Sequence, residues 1–288
     1  MGTLCEIQLI GDSPTKAKYI ADLAFADILR LEAKFSRYRE DSFVAEINRV
    51  AACGGSIAVD DETAGLINYA YACYQQSDGL FDISSGILRD AWRFTEAVVP
   101  NGRRIAGLLD KVGLDKVDWN PPVLTFTVSG MALDFGGIVK EYAADRVAEL
   151  CRRHGAEHGL VNLGGDVAII GPRIDGQPWK IGISHPRQKH ALLTSIELHR
   201  GAVASSGDYE RCILVDGVRY SHILNPKTGW PIKRMASVTV VGDLCVVAGS
   251  ASTIAMLMEE RGVEWLQGLG LPYAWTDVDG RQGGSLLD

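Results

Sequence analysis

The 288-residue chain carries 29 Lys and Arg against 36 Asp and Glu, a net charge of −7, with 47% hydrophobic and 23% charged residues. This is ordinary globular composition, enough for one large domain or two intimately packed lobes. It excludes a general nucleic-acid or anionic-membrane binder, which needs a basic excess to displace counterions, and no apolar run of about 18 residues offers a membrane span.

Cys5, Cys53, Cys73, Cys151, Cys212 and Cys245 form no Cys-x-x-Cys pair. Neither a zinc site nor a disulfide framework is expected, and the cysteines read as small buried side chains. No charged-then-apolar leader or lipobox is seen, so as given the chain reads as cytoplasmic; removal of a leader would make it periplasmic.

Glu6 to Ile10 alternates as a strand. Ser13-Pro14 then supplies an N-cap and a first-turn proline for a helix to about Lys34, with Ile20, Leu23, Ala24, Ile28, Leu31 and Phe35 as its apolar stripe. The spacing predicts a shorter helix after Asp41-Ser42 and another from Thr63 to Gln76, ended by Ser77-Asp78-Gly79. Phe81 to Gly86 is unperiodic, and Arg104 to Lys111 reads as a helix closed by Gly113. Val117 to Val128, interrupted by Pro121-Pro122, reads as a hairpin.

The central stretch, Leu133-Asp134-Phe135-Gly136-Gly137-Ile138-Val139-Lys140-Glu141, reads as a strand end, a two-glycine turn and a helix with Lys140 in its first turn. Ile138, Tyr142, Val147 and Leu150 would form the buried face, and Arg152-Arg153-His154-Gly155 the C-terminus. Glycines admit close backbone approach, and a helix N-terminus presents N–H groups to anions, so a phosphate or pyrophosphate would be held well here. On this stretch alone a tight turn into a packed helix, with Lys140 solvated, is the simpler reading. It is neither a Walker loop nor a dinucleotide fingerprint.

Strands are then expected at 159–163, 167–170, 179–183, 193–198, 202–205 and 237–241. A hairpin turns at Asp216-Gly217, and a helix spans Val247 to Glu259. Strand runs mixed with helices, and no dividing linker, indicate an α+β fold.

Leu160 to Asp166, Ser205 to Arg211 and Ser221 to Gly229 are polar, turn-rich clusters beside strands, where ligand contacts gather. Read in order with the central stretch, they resemble the ApbE family of FAD:protein FMN transferases. Met1-Gly2-Thr3, Ser36-Arg37-Tyr38-Arg39 with Ile47-Asn48-Arg49, and Leu80-Phe81-Asp82 are similar to further family segments. The resemblance covers nearly the whole chain. It implies a single α+β domain of mixed or antiparallel sheets and flanking helices around an FAD cleft, with Mg²⁺ at the pyrophosphate. FMN would pass through a phosphoester to a Thr or Ser hydroxyl of an acceptor protein, with release of AMP. It implies neither nucleic acid nor stable membrane insertion.

The same resemblance implies FAD contacts from Met1, Tyr38, Leu80, Phe81, Asp82, Asp134 and Lys140, and metal contacts from the Gly137 carbonyl and Thr253. His222 would deprotonate the acceptor hydroxyl, a task suited to imidazole. Asp166 and Asp208 could touch ligand or cap turns through their own backbone.

Two positions depart from the family pattern. Gly249 stands where a metal-binding aspartate is usual, and Glu141 where glycine is common. The first removes a charge from the metal site, so Gly249→Asp is expected to lower any Mg²⁺ requirement. An FAD pyrophosphatase with water as acceptor, and a non-catalytic FAD-binding protein, are the alternatives.

Overall fold

A computed structural model describes residues 2–209 and 211–287. Strand β1 (Cys5–Ile10) leads into α1 (Pro14–Phe35), whose N-cap Ser13 accepts the Lys16 N–H at 3.3 Å. Helix α2 (Phe43–Cys53) is capped by Ser42 and α3 (Asp61–Gln76) by Asp60. Between them β2 (Gly55–Ala58) pairs with β4 (Val123–Phe126), which pairs with β3 (Val117–Asn120) across Pro121-Pro122. Helix α4 (Gly102–Leu109) is capped by Asn101. The unperiodic segment after Phe81 is a 3-10 turn over Ile83–Asp90, begun by Asp82.

Beyond α5 (Val139–Arg153) come β5 (His158–Leu163), β6 (Asp166–Gly171), β7 (Trp179–Ser184), β8 (Leu192–Leu198), β9 (Ala202–Gly207) and the hairpin β10 (Cys212–Val215) with β11 (Val218–Ser221). Positive φ at both Asp216 and Gly217 gives that hairpin the twist its strands need. Then follow β12 (Met235–Gly242), α6 (Cys245–Met258), α7 (Glu260–Leu269), β13 (Tyr273–Asp277) and β14 (Gln282–Gly283).

Seven strands form one antiparallel sheet in the order β1-β5-β6-β9-β12-β13-β14. Strand alternation sorts the side chains into two layers. Val161, Leu163, Ala168, Ile170, Ala204, Val238 and Val240 join the helices in the main core. Leu160, Val167, Ile169 and Val203 pack instead with Ile183 and Ile196 of the β7–β8 ribbon.

Three sequence expectations need correction. Leu133-Asp134 is no strand end. It is an extended loop whose Leu133 N–H and C=O both bond the Asn48 amide, at 2.7 and 3.0 Å, so a side chain takes the partner strand's place. The buried face of α5 is Val139, Ala143, Ala144, Val147, Ala148 and Cys151, while Tyr142 and Leu150 are half-buried. Small residues let this helix sit close to β5 and β6, which a search for large apolar residues does not detect. All six cysteines are free thiols, but only Cys73, Cys151 and Cys245 are buried, and Cys53 is exposed.

Phe135 is fully buried, its ring 5.8 Å from that of Phe35. Phe135→Ala should lower stability by about 3–5 kcal/mol, read as a shift in the midpoint of urea unfolding.

Candidate functional site

The loop entering α5 meets the 3-10 turn 83–90 and the loop after α1. Asp134 is fixed through its backbone by the Ile83 carbonyl, which accepts its N–H at 2.8 Å. Its Oδ1 accepts the Gly136 N–H at 2.9 Å; its Oδ2 accepts from Arg37 Nη1 at 2.8 Å and lies 3.3 Å from Arg89 Nε. Burial pushes this carboxyl up, but Arg37 and Arg89 outweigh it and hold it below its ordinary range. Gly86 is required beneath it, since a Cβ there would lie 2.7 Å from Asp134 Cβ.

Side-chain caps close the N-termini of α1 to α4, but none closes that of α5. The Ile138 and Val139 N–H groups bond the Phe135 carbonyl at 2.9 and 3.0 Å, and among the described residues no hydrogen bond takes the N–H groups of Lys140 and Glu141, which follow exposed Gly136 and half-exposed Gly137. Among the described residues no backbone N–H donates to the Gly137 carbonyl. Lys140, the second residue of α5, is paired with Asp166 at the start of β6 and lies 3.4 Å from Glu141 Oε1. Asp166 is buried and also accepts the Ser205 N–H at 3.1 Å.

His222 follows β11. Its Nδ1 lies 3.0 Å from the Arg211 carbonyl. A carbonyl oxygen only accepts, so Nδ1 carries the proton and the Nε2 lone pair is left free. Burial first, then the positive charges of Arg89, Arg211 and Lys140, push the imidazole down to about 4, against the upward pull of the Arg211 carbonyl. The ring is therefore an uncharged base at neutral pH.

Helix α6 brings Gly249 against Glu141 of α5 and presents Thr253 one turn further on. Thr253 Oγ1 and Ser252 Oγ share Ser206 Oγ of β9 at 2.9 and 2.8 Å. Among the described residues no three His, Cys, Asp or Glu side chains gather as a metal cluster. Oxygen atoms that could serve a cation are the Gly137 carbonyl, the Thr253 hydroxyl, which also bonds Ser206, and the Glu141 carboxylate, whose Oε2 is buried without a hydrogen-bond partner. That set fits a hard divalent cation that shares its shell with substrate and water.

The other expected contacts are spread around this centre. Tyr38 is 74% exposed, next to Arg37, whose guanidinium lies 5.5 Å from its ring. Phe81 is buried beneath Gly137, and Leu80 is half-buried against the core. Asp82 caps the 3-10 turn through Ser84 N–H and lines a separate cavity of about 460 Å³ with Tyr74, Asp78, Asp115 and Lys227. Met1 lies outside the described residues. Asp208 is held by Arg187 in a two-pronged ion pair at 2.6 and 2.7 Å, beside the turn after β9. Arg89 had no sequence signal, because a 3-10 turn has no periodicity to expose it.

The ApbE family model matches residues 1–274. The FAD:protein FMN transferase of Vibrio cholerae is 31% identical over 85% of this chain and 79% of that protein. The one from Haemophilus influenzae is 28% identical over 92% and 80%. Among solved structures, the ApbE protein of Thermotoga maritima superposes with a TM-score of 0.90 at 32% identity, covering 98% of this chain and 96% of that one. The flavin transferase ApbE of Vibrio cholerae gives 0.89 at 28%, covering 100% and 95%. The architecture is thus that of the flavin-transferase class of enzymes. Within it, the chain belongs to the ApbE family.

In the ligand-free protein the His222 ring should stay neutral until the pH falls to about 4. An unfolded chain takes that proton at about 6.5, so His222 costs stability progressively as pH drops from there. Arg89→Gln should raise the midpoint seen in a histidine NMR titration. A wild-type midpoint near the unfolded value would show that the ring is not held as described.

Proposed function

We propose that the protein transfers FMN from FAD to a Thr or Ser hydroxyl of an acceptor protein and releases AMP. The observation that carries this reading is the pairing of an uncapped α5 N-terminus with a neutral, tautomer-fixed histidine. The first is a place for a pyrophosphate and the second a base for an alcohol.

The pyrophosphate would lie against the α5 N–H groups. Lys140 can add a bond there, since an ammonium has three donors and Asp166 uses one side of it. Asp134, locked by Arg37 and Arg89, fixes the turn that exposes Gly136 and Gly137. Tyr38 offers an exposed ring for stacking. His222 Nε2 would take the acceptor hydroxyl proton as its oxygen bonds the FMN phosphorus. The P–O bond to AMP then breaks, and AMP leaves with the electron pair. The Gly137 carbonyl and Thr253 would hold Mg²⁺, which when bound offsets the negative charge of the pyrophosphate. The protein's part is otherwise orientation and proton transfer.

Purified protein incubated with FAD, Mg²⁺ and a candidate acceptor should raise the acceptor's mass by one FMN phosphoryl group, with one AMP formed per transfer. His222→Ala should slow transfer about 10²–10⁴-fold with FAD binding little changed, whereas Lys140→Ala should weaken FAD more than FMN. Free FMN in place of modified acceptor would mark the protein as a pyrophosphatase. An unchanged rate in His222→Ala would remove that residue from the mechanism.

A further inference from the structure

We propose that Glu141 supplies the charged ligand of a divalent-cation site between α5 and α6, from the opposite helix to the one that would carry an acidic residue at position 249. The inference rests on the transfer reading only for the FAD that would share the cation.

Glu141 is 7% exposed, and its Oε2 has no hydrogen-bond partner. A carboxylate left so is costly, and an orphaned buried oxygen calls for an ion or water to complete it. The neighbouring charges leave room for a cation: Lys140 brings one positive charge to two negative ones, those of Glu141 and Asp166. The Glu141 carboxyl lies against Gly249 of α6, and oxygen donors stand one turn away on either chain segment. Gly137, whose carbonyl takes no backbone N–H, lies four residues before Glu141 in the turn that enters α5, and Thr253 one turn beyond Gly249 on α6.

The relation to Gly249 is steric. A Cβ at Gly249 would lie 2.5 Å from Glu141 Cγ, 3.1 Å from Cδ and 3.3 Å from Oε1. The Glu141 side chain therefore fills the space that a side chain at 249 would enter, and it puts its carboxyl group there. The two departures seen in the sequence are one exchange: α6 gives up a side chain, and α5 extends one into its place. The expectation for Gly249→Asp accordingly reverses. With Glu141 present the new side chain has no room, and the variant should lose stability rather than gain metal affinity.

The test is Mn²⁺ binding, followed by electron paramagnetic resonance with and without FAD, beside thermal melting of the metal-free protein. Glu141→Gln keeps the shape and removes the charge. It should weaken Mn²⁺ by at least about tenfold, the scale on which even supporting residues of metal sites act, while metal-free Tm holds or rises. Gly249→Asp alone should melt lower, and Glu141→Gly/Gly249→Asp should recover both Tm and Mn²⁺ affinity.

Unchanged Mn²⁺ affinity in Glu141→Gln would overturn the assignment, as would a fall in its metal-free Tm, which would make the group a structural partner of Lys140. Uptake of no Mn²⁺ by wild type, with or without FAD, would overturn it too. Wild type that transfers FMN while ignoring Glu141→Gln leaves the transfer reading standing. Wild type that holds Mn²⁺ through Glu141 but binds no FAD does the opposite.

Discussion

The site depends on one carboxylate that takes no part in it. Asp145 of α5 accepts the Cys245 and Val246 N–H groups at 2.7 and 2.9 Å, capping α6, whose own N-cap residue Leu244 offers no acceptor. The bond fixes the rotation of α6 about its axis as well as its distance from α5. Glu141 is one turn before Asp145 and shares its face, so it must also point at α6. On its other sides α6 is held by Ser206 of β9, which bonds Ser252 and Thr253, and by Tyr69 of α3, which bonds Ser250.

The two helix starts are treated in opposite ways. The partial positive charge at the head of α6 is consumed internally by Asp145, whereas that at the head of α5 is left for a ligand. Around the open end, Arg37, Arg89 and Lys140 are each held by a carboxylate, so the cations are oriented before anything binds. Burial first, with Arg89, Arg211 and Lys140 adding to it, keeps His222 uncharged there.

Much of this could be read from the chain. The caps Ser13 and Ser42, the turn at Asp216-Gly217 and the glycine stop after α5 follow local chemistry, and the structure has them where they were expected. The ordered motifs singled out Asp134, Lys140 and His222; in the structure Arg89 pairs with Asp134, and Arg89 and Lys140 both act on the His222 ring. What escaped was set by partners distant in sequence. The Asn48 amide that replaces a strand is 85 positions from Leu133, and the Asp145 cap 100 from Cys245. Strands β2 and β13 and helix α7 were not seen either, because short or weakly patterned segments gain their identity from the sheet or core that receives them. Gly249 and Glu141 were each visible as departures, but only packing shows that they meet in one space.

That shared space constrains how such a pair can arise by single substitutions. Starting from aspartate on α6 facing glycine on α5, gaining glutamate first crowds two acidic side chains into one space. Losing aspartate first leaves a cavity and no charge between the helices. On the proposed assignment either intermediate would be worse than both ends, and positions 141 and 249 would behave as one inherited unit. Exchanging only one of them between relatives would transplant half of a joint, although each residue alone looks like a free choice.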